Sequence, residues 1–117
     1  MTVETGTECF IADTAQVGVG GDGTKTVFGD RATVRDGAVV YGDVEAGDDF
    51  ATGHHAVVRE ASRLGDDVLV GTHAVVDGQV DIGSHVSLQT GAYVPQETTL
   101  GDEVFLGPHA VITNDAY

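Results

Sequence analysis

Histidine is the residue type in this sequence best suited to chemistry, and its spacing is regular. The chain contains His54, His55, His73, His85 and His109. A neutral imidazole can accept a proton near neutral pH or donate a lone pair to zinc. His55, His73 and His109 are separated by 18 and then 36 residues. If the chain repeats every 18 residues, these three side chains share one column, so their interpretation depends on the repeat.

Apolar residues recur at every sixth position over most of the chain. Fourteen of the fifteen residues in this series are apolar, with Thr52 as the exception. The residue two positions earlier is small or β-branched in almost every hexad, and positions two apart in a strand share a face. The sequence therefore predicts an all-β fold, a parallel β-helix whose triangular coils contain about 18 residues and stack about 4.8 Å apart. The series is Phe28, Val34, Val40, Ala46, Thr52, Val58, Leu64, Val70, Val76, Ile82, Leu88, Val94, Leu100, Leu106 and Ile112.

The same register gives four of the histidines a backbone role. Residues at the equivalent position of other hexads include Gly37, Asp43, Asp49, Asp67 and Gly91. Glycine, Asp, Asn and His are the residues that tolerate a left-handed backbone conformation. We therefore expect the histidines of this position to be turn residues, and a zinc site formed by the column is a minor alternative. The four are His55, His73, His85 and His109.

His54 lies one position earlier in its hexad and is the candidate catalytic residue. Its predicted column is Asp36, His54, Thr72, Thr90 and Pro108. A neutral imidazole beside hydroxyl groups at a coil corner could act as a general base for an amine or hydroxyl acceptor. The alternative, an exposed turn histidine without a catalytic role, is equally compatible with the sequence.

Two further columns contain charges of opposite sign. Glu45, Arg63 and Asp81 form one, and Arg59 precedes Asp77 by one coil in the other. The two arginines could bind a phosphate, but acidic neighbours directly above or below favour structural charge ladders on the sheet surface.

Composition limits the classes of partner. The chain has 117 residues, a formal net charge of −14 and a single lysine, Lys25. Such a surface repels nucleic acid and anionic membranes, and it is typical of proteins adapted to a high-salt cytoplasm. No apolar stretch is long enough to cross a bilayer, and the N-terminus does not resemble a secretion signal. Cys9 is the only cysteine. We expect one cytoplasmic domain spanning residues 1–117, without nucleic-acid or membrane partners.

A glycine-rich segment interrupts the repeat. Val17 and Phe28 lie eleven residues apart, five more than one hexad requires, and residues 18–25 fill the interval. The segment approaches a phosphate-binding loop motif, but Thr24 replaces the required lysine and no helical pattern follows. We therefore predict a loop that projects from an early coil.

Longer motifs resemble one branch of the bacterial transferase hexapeptide family, the nucleotide-sugar N-acetyltransferases. They are Thr-Gly-His-His-Ala-Val-Val-Arg-Glu at 52–60, Leu-Gln-Thr-Gly-Ala-Tyr-Val-Pro at 88–95 and the segment at 104–117 that ends Thr-Asn-Asp-Ala-Tyr. The resemblance implies a left-handed coil, a homotrimer, and acetyl or acyl transfer from acetyl-CoA (acyl-CoA) to a nucleotide-linked amino sugar. It also implies substrate-binding roles for Gln89, Thr90, Asn114 and Asp115.

The sequence departs from that family in two places. Some relatives have Asn where Gly91 stands, and that Asn helps to orient the reacting amine. Relatives also continue with further coils that line much of the CoA groove, whereas this sequence stops at Tyr117. A truncated, non-catalytic β-helix scaffold is therefore an alternative. Hexapeptide helices also include the γ-class carbonic anhydrases, which bind zinc through three histidines. Their paired histidines five residues apart are missing, because Arg59 stands five residues after His54.

Overall fold

The structure is a computed structural model that describes residues 2–20 and 25–113. Within these residues the chain forms short strands and no helix. Each hexad contributes two inward-facing residues, two positions apart, and a turn follows them, so the strands are short. The strands are β1 (Thr2–Thr5), β2 (Phe10–Ile11), β3 (Gln16–Val19), β4 (Lys25–Phe28), β5 (Thr33–Val34), β6 (Val39–Tyr41), β7 (Val44–Ala46), β8 (Ala51–Thr52), β9 (Val57–Val58), β10 (Ser62–Leu64), β11 (Val68–Val70), β12 (Val75–Val76), β13 (Asp81–Ile82), β14 (Val86–Leu88), β15 (Tyr93–Val94), β16 (Thr99–Leu100) and β17 (Phe105–Leu106).

Every third strand joins the same parallel sheet, which makes the fold a parallel β-helix of about five coils. Sheet A contains β1, β4, β7, β10, β13 and β16; sheet B contains β2, β5, β8, β11, β14 and β17; sheet C contains β3, β6, β9, β12 and β15. Pairings such as Val44 with Ser62 and Val57 with Val75 connect residues 18 positions apart. The predicted coil length is confirmed, and the left-handed sense stays a prediction.

The first coil is longer because of the glycine-rich segment. There, Ile11 pairs with Val34 and Val17 with Val40, so the offset is 23 residues instead of 18. The five additional residues lie between β3 and β4, inside the predicted loop at 18–25. The predicted bounds are too wide, because Gly18 and Val19 belong to β3 and Lys25 belongs to β4. Residues 21–24 of that predicted loop lie outside the described residues.

The core is the interior of the coil stack. Both inward series are buried from Phe28 to Val94, and the rings of Phe28 and Phe50 pack with centroids 5.2 Å apart. Thr52, the polar member of the apolar series, is also buried, and its Oγ1 accepts a hydrogen bond from the backbone N–H of Arg35 at 3.0 Å. The hydroxyl is tolerated in the core because this hydrogen bond satisfies it.

The turn positions have the backbone conformation that the sequence predicts. Every sixth residue from Arg31 to His109 has a positive φ, between 53° and 74°. His55, His73 and His109 are among them, with φ of 58° to 60°. The expectation that these histidines are left-handed turn residues is confirmed, as it is for His85 at φ 60°.

The turns form three corners that run along the stack. We call the corner between sheets A and B the acidic corner; its turns are residues 29–31, 47–49, 65–67, 83–85 and 101–103. The histidine corner, between sheets B and C, has its turns at 35–37, 53–55, 71–73, 89–91 and 107–109. The third corner, between sheets C and A, has its turns at 41–43, 59–61, 77–79 and 95–97.

Candidate functional site

The predicted column of His54 is present at the histidine corner. Each turn there is held to the preceding coil by a backbone hydrogen bond from the left-handed residue. The amide of His55 donates to Asp36, that of His73 to His54, that of Gly91 to Thr72 and that of His109 to Thr90, at 2.7–3.0 Å. These bonds place Asp36, His54, Thr72, Thr90 and Pro108 one above another, as the 18-residue register predicts.

His54 has an exposed side chain at the second turn of this corner. Its backbone N–H donates to Oγ1 of Thr72 at 3.3 Å, which ties the turn to the following coil. Among the described residues, none provides a hydrogen bond or ion pair to its imidazole. The ring is thus accessible to a ligand, but no carboxylate of this part of the chain orients it.

Gln89 and Thr90 occupy the same corner two coils further along. The half-buried Gln89 side chain donates through Nε2 to Oγ of Ser87, and Thr90 is exposed. Two coils correspond to about 9.6 Å along the stack. The structure therefore brings three predicted site residues, His54, Gln89 and Thr90, to one corner, with Thr72 of the intervening coil between His54 and Thr90.

The other two predicted substrate-binding residues, Asn114 and Asp115, lie outside the described residues. Their predicted role stays a prediction.

The histidines of the turn position stack rather than converge. The rings of His55 and His73 are nearly parallel, with centroids 5.3 Å apart and an angle of 11° between their planes. Lone pairs of parallel rings do not point at a common centre, which a metal chelate needs. Within residues 2–20 and 25–113 no group of three or more His, Cys, Asp or Glu side chains has a geometry that could hold a metal ion.

Asp, Glu, Lys and Arg side chains are absent from one continuous part of the described surface. It comprises the outward-facing residues of sheets B and C from Ala51 to Val111 and the four turns of the histidine corner between them. We call it the neutral surface. Its outward residues are Ala51, Val57, Leu69, Val75, Ser87, Tyr93 and Phe105 on strands, and Val111, which forms an isolated bridge with Tyr93. In the same stretch of chain, the acids all lie on sheet A, the acidic corner or the third corner: Glu60, Asp66, Asp67, Asp77, Asp81, Glu97, Asp102 and Glu103.

The neutral surface changes the local electrostatics of a strongly acidic protein. Charges on the other two corners are separated from the histidine corner by the width of a sheet, and salt screens exposed charges over about 8–10 Å. An anionic ligand therefore meets less repulsion at Gln89 and Thr90 than along the acidic corner, whereas His54 lies at the edge of the neutral surface, one coil above Asp36. The sequence contains this signal, but it becomes visible only when outward and turn positions are assigned to the three sides.

The predicted charge ladders are formed in part. Arg63 lies between Glu45 and Asp81 in the strand register, and its guanidinium pairs with Glu45 at 3.6 Å and with Asp43 at 2.7 Å. These contacts support the structural interpretation of Arg63.

Arg59 and Asp77 do not pair, although they are one coil apart. The Arg59 guanidinium contacts Glu60 at 3.1 Å and lies over the ring of Tyr41, 4.8 Å from its centroid. Asp77 instead accepts a hydrogen bond from the hydroxyl of Tyr93 at 2.8 Å, and this bond raises the pKa of Tyr93. The predicted ladder of Arg59 and Asp77 is wrong, because Arg59 contacts Glu60 and Tyr41, and Asp77 is hydrogen-bonded to Tyr93.

Sequence reasoning missed a ladder of side chain to backbone hydrogen bonds along the acidic corner. The carboxylates of Asp30, Asp48, Asp66 and Asp102 each accept the N–H of the corner residue one coil earlier, at 2.8 Å, and Ser84 does so at 3.0 Å. The recurring Gly-Asp dipeptide, at 29–30, 47–48, 65–66 and 101–102, is the signal that could have revealed it.

Comparison with known proteins assigns no family to this sequence. The described residues contain no helix that is long and apolar enough to span a membrane. The sequence matches no protein-family model and no curated protein.

Proposed function

We propose that this protein is an acyl-CoA-dependent acyltransferase that transfers an acetyl or acyl group to the amino (or hydroxyl) group of a nucleotide-linked sugar. One observation carries the proposal. Three residues lie together on the neutral surface of a protein whose net charge is −14: His54, Gln89 and Thr90. The coil register selects His54, and the family resemblance selects Gln89 and Thr90. Both substrates, acyl-CoA and a nucleotide sugar, are anions, and this is the surface that they can approach.

The chemistry asks little of the protein beyond positioning. A neutral amine attacks the thioester carbonyl, the thiolate of CoA leaves, and the proton of the amine must be removed. His54 is the candidate general base, since its exposed imidazole can take this proton and return it to the departing thiolate. Gln89 and Thr90 would hold the sugar with their amide and hydroxyl groups, and such positioning accounts for a large part of catalysis when two reactants are held together.

The proposed assembly is a homotrimer in which neighbouring chains face each other through the neutral surface. Phe105 and Val111 are 66% and 63% exposed on this surface, and association would remove such apolar groups from water. Sheet A, the acidic corner and the third corner carry most of the acids, so these parts of two chains would repel each other in an interface. A second chain would also be able to supply the group that orients His54.

Acetyl-CoA binding tests the proposal. Isothermal titration calorimetry at high salt should show saturable binding of acetyl-CoA to the protein, and a double substitution on the neutral surface, Leu69→Asp with Val75→Asp, should weaken it by repelling the anion. Arg63→Asp is the matched control on sheet A and should leave the affinity unchanged. No detectable binding to the unmodified protein would contradict the proposal.

The second candidate is a non-catalytic scaffold that retains only the fold and self-association. The lack of any described partner for the His54 imidazole favours it, because a general base is ordinarily oriented by a second group. Turnover of any acceptor by the purified chain would exclude it.

A further inference from the structure

The two ends of the described coil stack expose part of its interior. Inward-facing residues that are buried in the middle coils are only partly buried in the coils at either end. They are Cys9, Ile11, Ala15 and Val17 at the N-terminal end, and Leu100, Val104, Leu106 and Ile112 at the C-terminal end. Each end therefore presents apolar side chains that contact with another coil would remove from water.

The backbone groups of the two ends are complementary. In the middle of the stack, outward-facing strand residues donate their N–H to a carbonyl of the next coil, as Asp81 does to Thr98 and Ser87 does to Val104. The equivalent donors at the C-terminal end have no acceptor among residues 2–20 and 25–113; they are the N–H groups of Thr99, Phe105 and Val111. In the same register, the matching acceptors at the N-terminal end are the carbonyls of Val3, Cys9 and Ala15. A second copy stacked in register would thus form the hydrogen bonds of one more coil step.

The acidic corner shows the same match in its side chains. A Cβ built on Gly65 would meet Oγ of Ser84 in the next coil, whereas a Cβ built on Gly101 meets nothing within 4 Å. Thr7 occupies the position of Ser84 in the N-terminal coil, where its own N–H donates to the carboxylate of the following coil. In a stack of two copies, the Thr7 hydroxyl could lie over Gly101 and accept the N–H of Asp102.

Phe10 and Phe105 are the first and the last outward-facing residues of one column on sheet B. The strand register connects them through Thr33, Ala51, Leu69 and Ser87. Both side chains are exposed, Phe10 by 56% and Phe105 by 66%. In stacked copies, Phe105 of one copy and Phe10 of the other would be neighbours on adjacent strands, where aromatic rings pack favourably.

We propose that the C-terminal end of one copy binds the N-terminal end of a second copy, so that the three sheets continue from chain to chain. The occupant of each end is another copy of this protein. The contact joins two different surfaces, so it can repeat along an open series of copies instead of closing after two. It uses the ends of the stack, whereas the proposed trimer uses its side, and it does not depend on the acyltransferase.

One opposed pair of acids makes this contact depend on salt. Glu8 and Glu103 both occupy left-handed turn positions, with φ of 59° and 61°. Across the contact they would lie one coil apart in the acidic corner, as Arg31 and Asp49 do within the chain. High salt screens their repulsion and the wider repulsion between two acidic chains. Association should therefore increase with salt as well as with protein concentration.

Sedimentation velocity of the purified chain, over a range of protein and salt concentrations, tests the contact. We expect oligomers that continue to grow with protein concentration at high salt and that dissociate at low salt. Thr99→Pro removes a donor at the C-terminal end, and Phe10→Asp adds a charge at the N-terminal end. Each should weaken association at least about tenfold. No growth of the unmodified protein with concentration, at any salt, would overturn the proposal.

These two variants separate the ends from the rest of the surface. Thr99 and Phe10 are exposed and lie outside the neutral surface, so circular dichroism should show folded proteins and a trimer formed through that surface should persist. Mixing T99P with F10D tests the polarity of the contact. The mixture should associate although neither variant does so alone, because F10D keeps an intact C-terminal end and T99P keeps an intact N-terminal end. A mixture that associates no more than either variant alone would contradict the head-to-tail contact.

Reversing one charge should strengthen the contact. Glu103→Arg places a guanidinium one coil before Glu8 of the second copy, as Arg31 lies one coil before Asp49. We expect this variant to associate about fivefold more tightly at low salt. Asp36→Arg is the matched control, because it changes the net charge equally at an exposed position away from both ends of the stack. Equal association of E103R and D36R would contradict the alignment of the two ends.

Discussion

The carboxylate of Asp48 accepts the backbone N–H of Asp30, one coil earlier, at 2.8 Å. It does so from directly above Gly29, where a Cβ would overlap Oδ1 of Asp48. The same arrangement recurs in successive coils of the acidic corner. It explains why Gly-Asp dipeptides recur at this corner: the glycine of one coil leaves space for the carboxylate of the next coil, which accepts a turn N–H and ties the two coils together.

Replacing Asp48 separates the hydrogen bond from the charge. Asp48→Ala should lower the free energy of unfolding by about 1 kcal/mol, because the N–H of Asp30 loses its acceptor. Asp48→Asn keeps an acceptor oxygen and removes one negative charge, so it should be close to the wild type at high salt and more stable at low salt. Urea denaturation at both salt concentrations measures this. Equal losses in the two variants would show that the hydrogen bond does not contribute.

The corner glycines should differ in their tolerance of alanine. A Cβ at Gly47 would overlap the carboxylate of Asp66 and approach the carbonyl oxygen of Gly65 to 3.0 Å, whereas a Cβ at Gly101 meets nothing within 4 Å. Gly47→Ala should therefore destabilise the protein by about 1–3 kcal/mol. Gly101→Ala is the control and should stabilise it by about 0.4–1 kcal/mol, since alanine restricts the unfolded chain. The reverse order in thermal denaturation would mean that the acidic corner packs differently.

A charge placed in the coil interior should prevent folding. Val70 is fully buried, so Val70→Asp would leave a carboxylate without water or a partner. Leu69→Asp, one residue earlier, points outward from the same strand and should leave the fold intact. Circular dichroism and urea denaturation compare the two variants. A cooperative, soluble V70D protein would show that the inward register is wrong.

The pair of His85 and Asp67 should make stability depend on pH. The hydrogen bond that Nδ1 of His85 donates to the carboxylate of Asp67, at 3.0 Å, and the nearby charges of Asp67, Glu103 and Asp102 raise the pKa of His85 above 6.5. A raised pKa in the folded state means that the stabilisation is fully present below the unfolded value and is lost as pH rises through the folded value. The stability difference between wild type and His85→Gln should thus be largest below pH 6.5 and decrease above it.

Asp67→Asn provides the control for that pH dependence, because it removes the partner and keeps the histidine. In this variant the additional pH dependence should disappear, and an NMR titration should show the pKa of His85 closer to its ordinary value. An unchanged titration of His85 in the D67N protein would contradict the assignment.

The period of six made much of the fold predictable, while several contacts required coordinates. Residues such as Val34 and Val70 specify the inward face and the 18-residue register, and His73 and Asp49 reveal the left-handed turns because few residue types tolerate them. The partner of Arg59 was not predictable, because its long side chain can reach Glu60 and Tyr41 as easily as Asp77.

The register predicts which candidate site residues share a corner, but not how their side chains are arranged. The spacing of His54 and Thr90 placed them at one corner, and the structure agrees. The stacking of the His55 and His73 rings was not predictable, because it depends on side-chain rotamers that the spacing does not determine.

His54 should affect turnover rather than folding. If it is the general base, His54→Ala should reduce kcat by a factor of about 10² to 10⁴, with the larger loss for a hydroxyl acceptor, which is less nucleophilic than an amine. His85→Ala, on the acidic corner, is the control and should leave kcat unchanged. Equal turnover in H54A and wild-type protein would assign His54 to the turn alone.

The most direct test is the release of free CoA from acetyl-CoA by the purified chain at high salt. A thiol-reactive dye would follow the reaction in the presence of UDP-linked or dTDP-linked amino sugars, and mass spectrometry would identify the acetylated product. We expect thiol release that requires one of these acceptors, accompanied by a gain of one acetyl group on the sugar nucleotide. Acetyl-CoA that stays intact with every acceptor, in protein shown to be folded, would contradict the proposed acyltransferase.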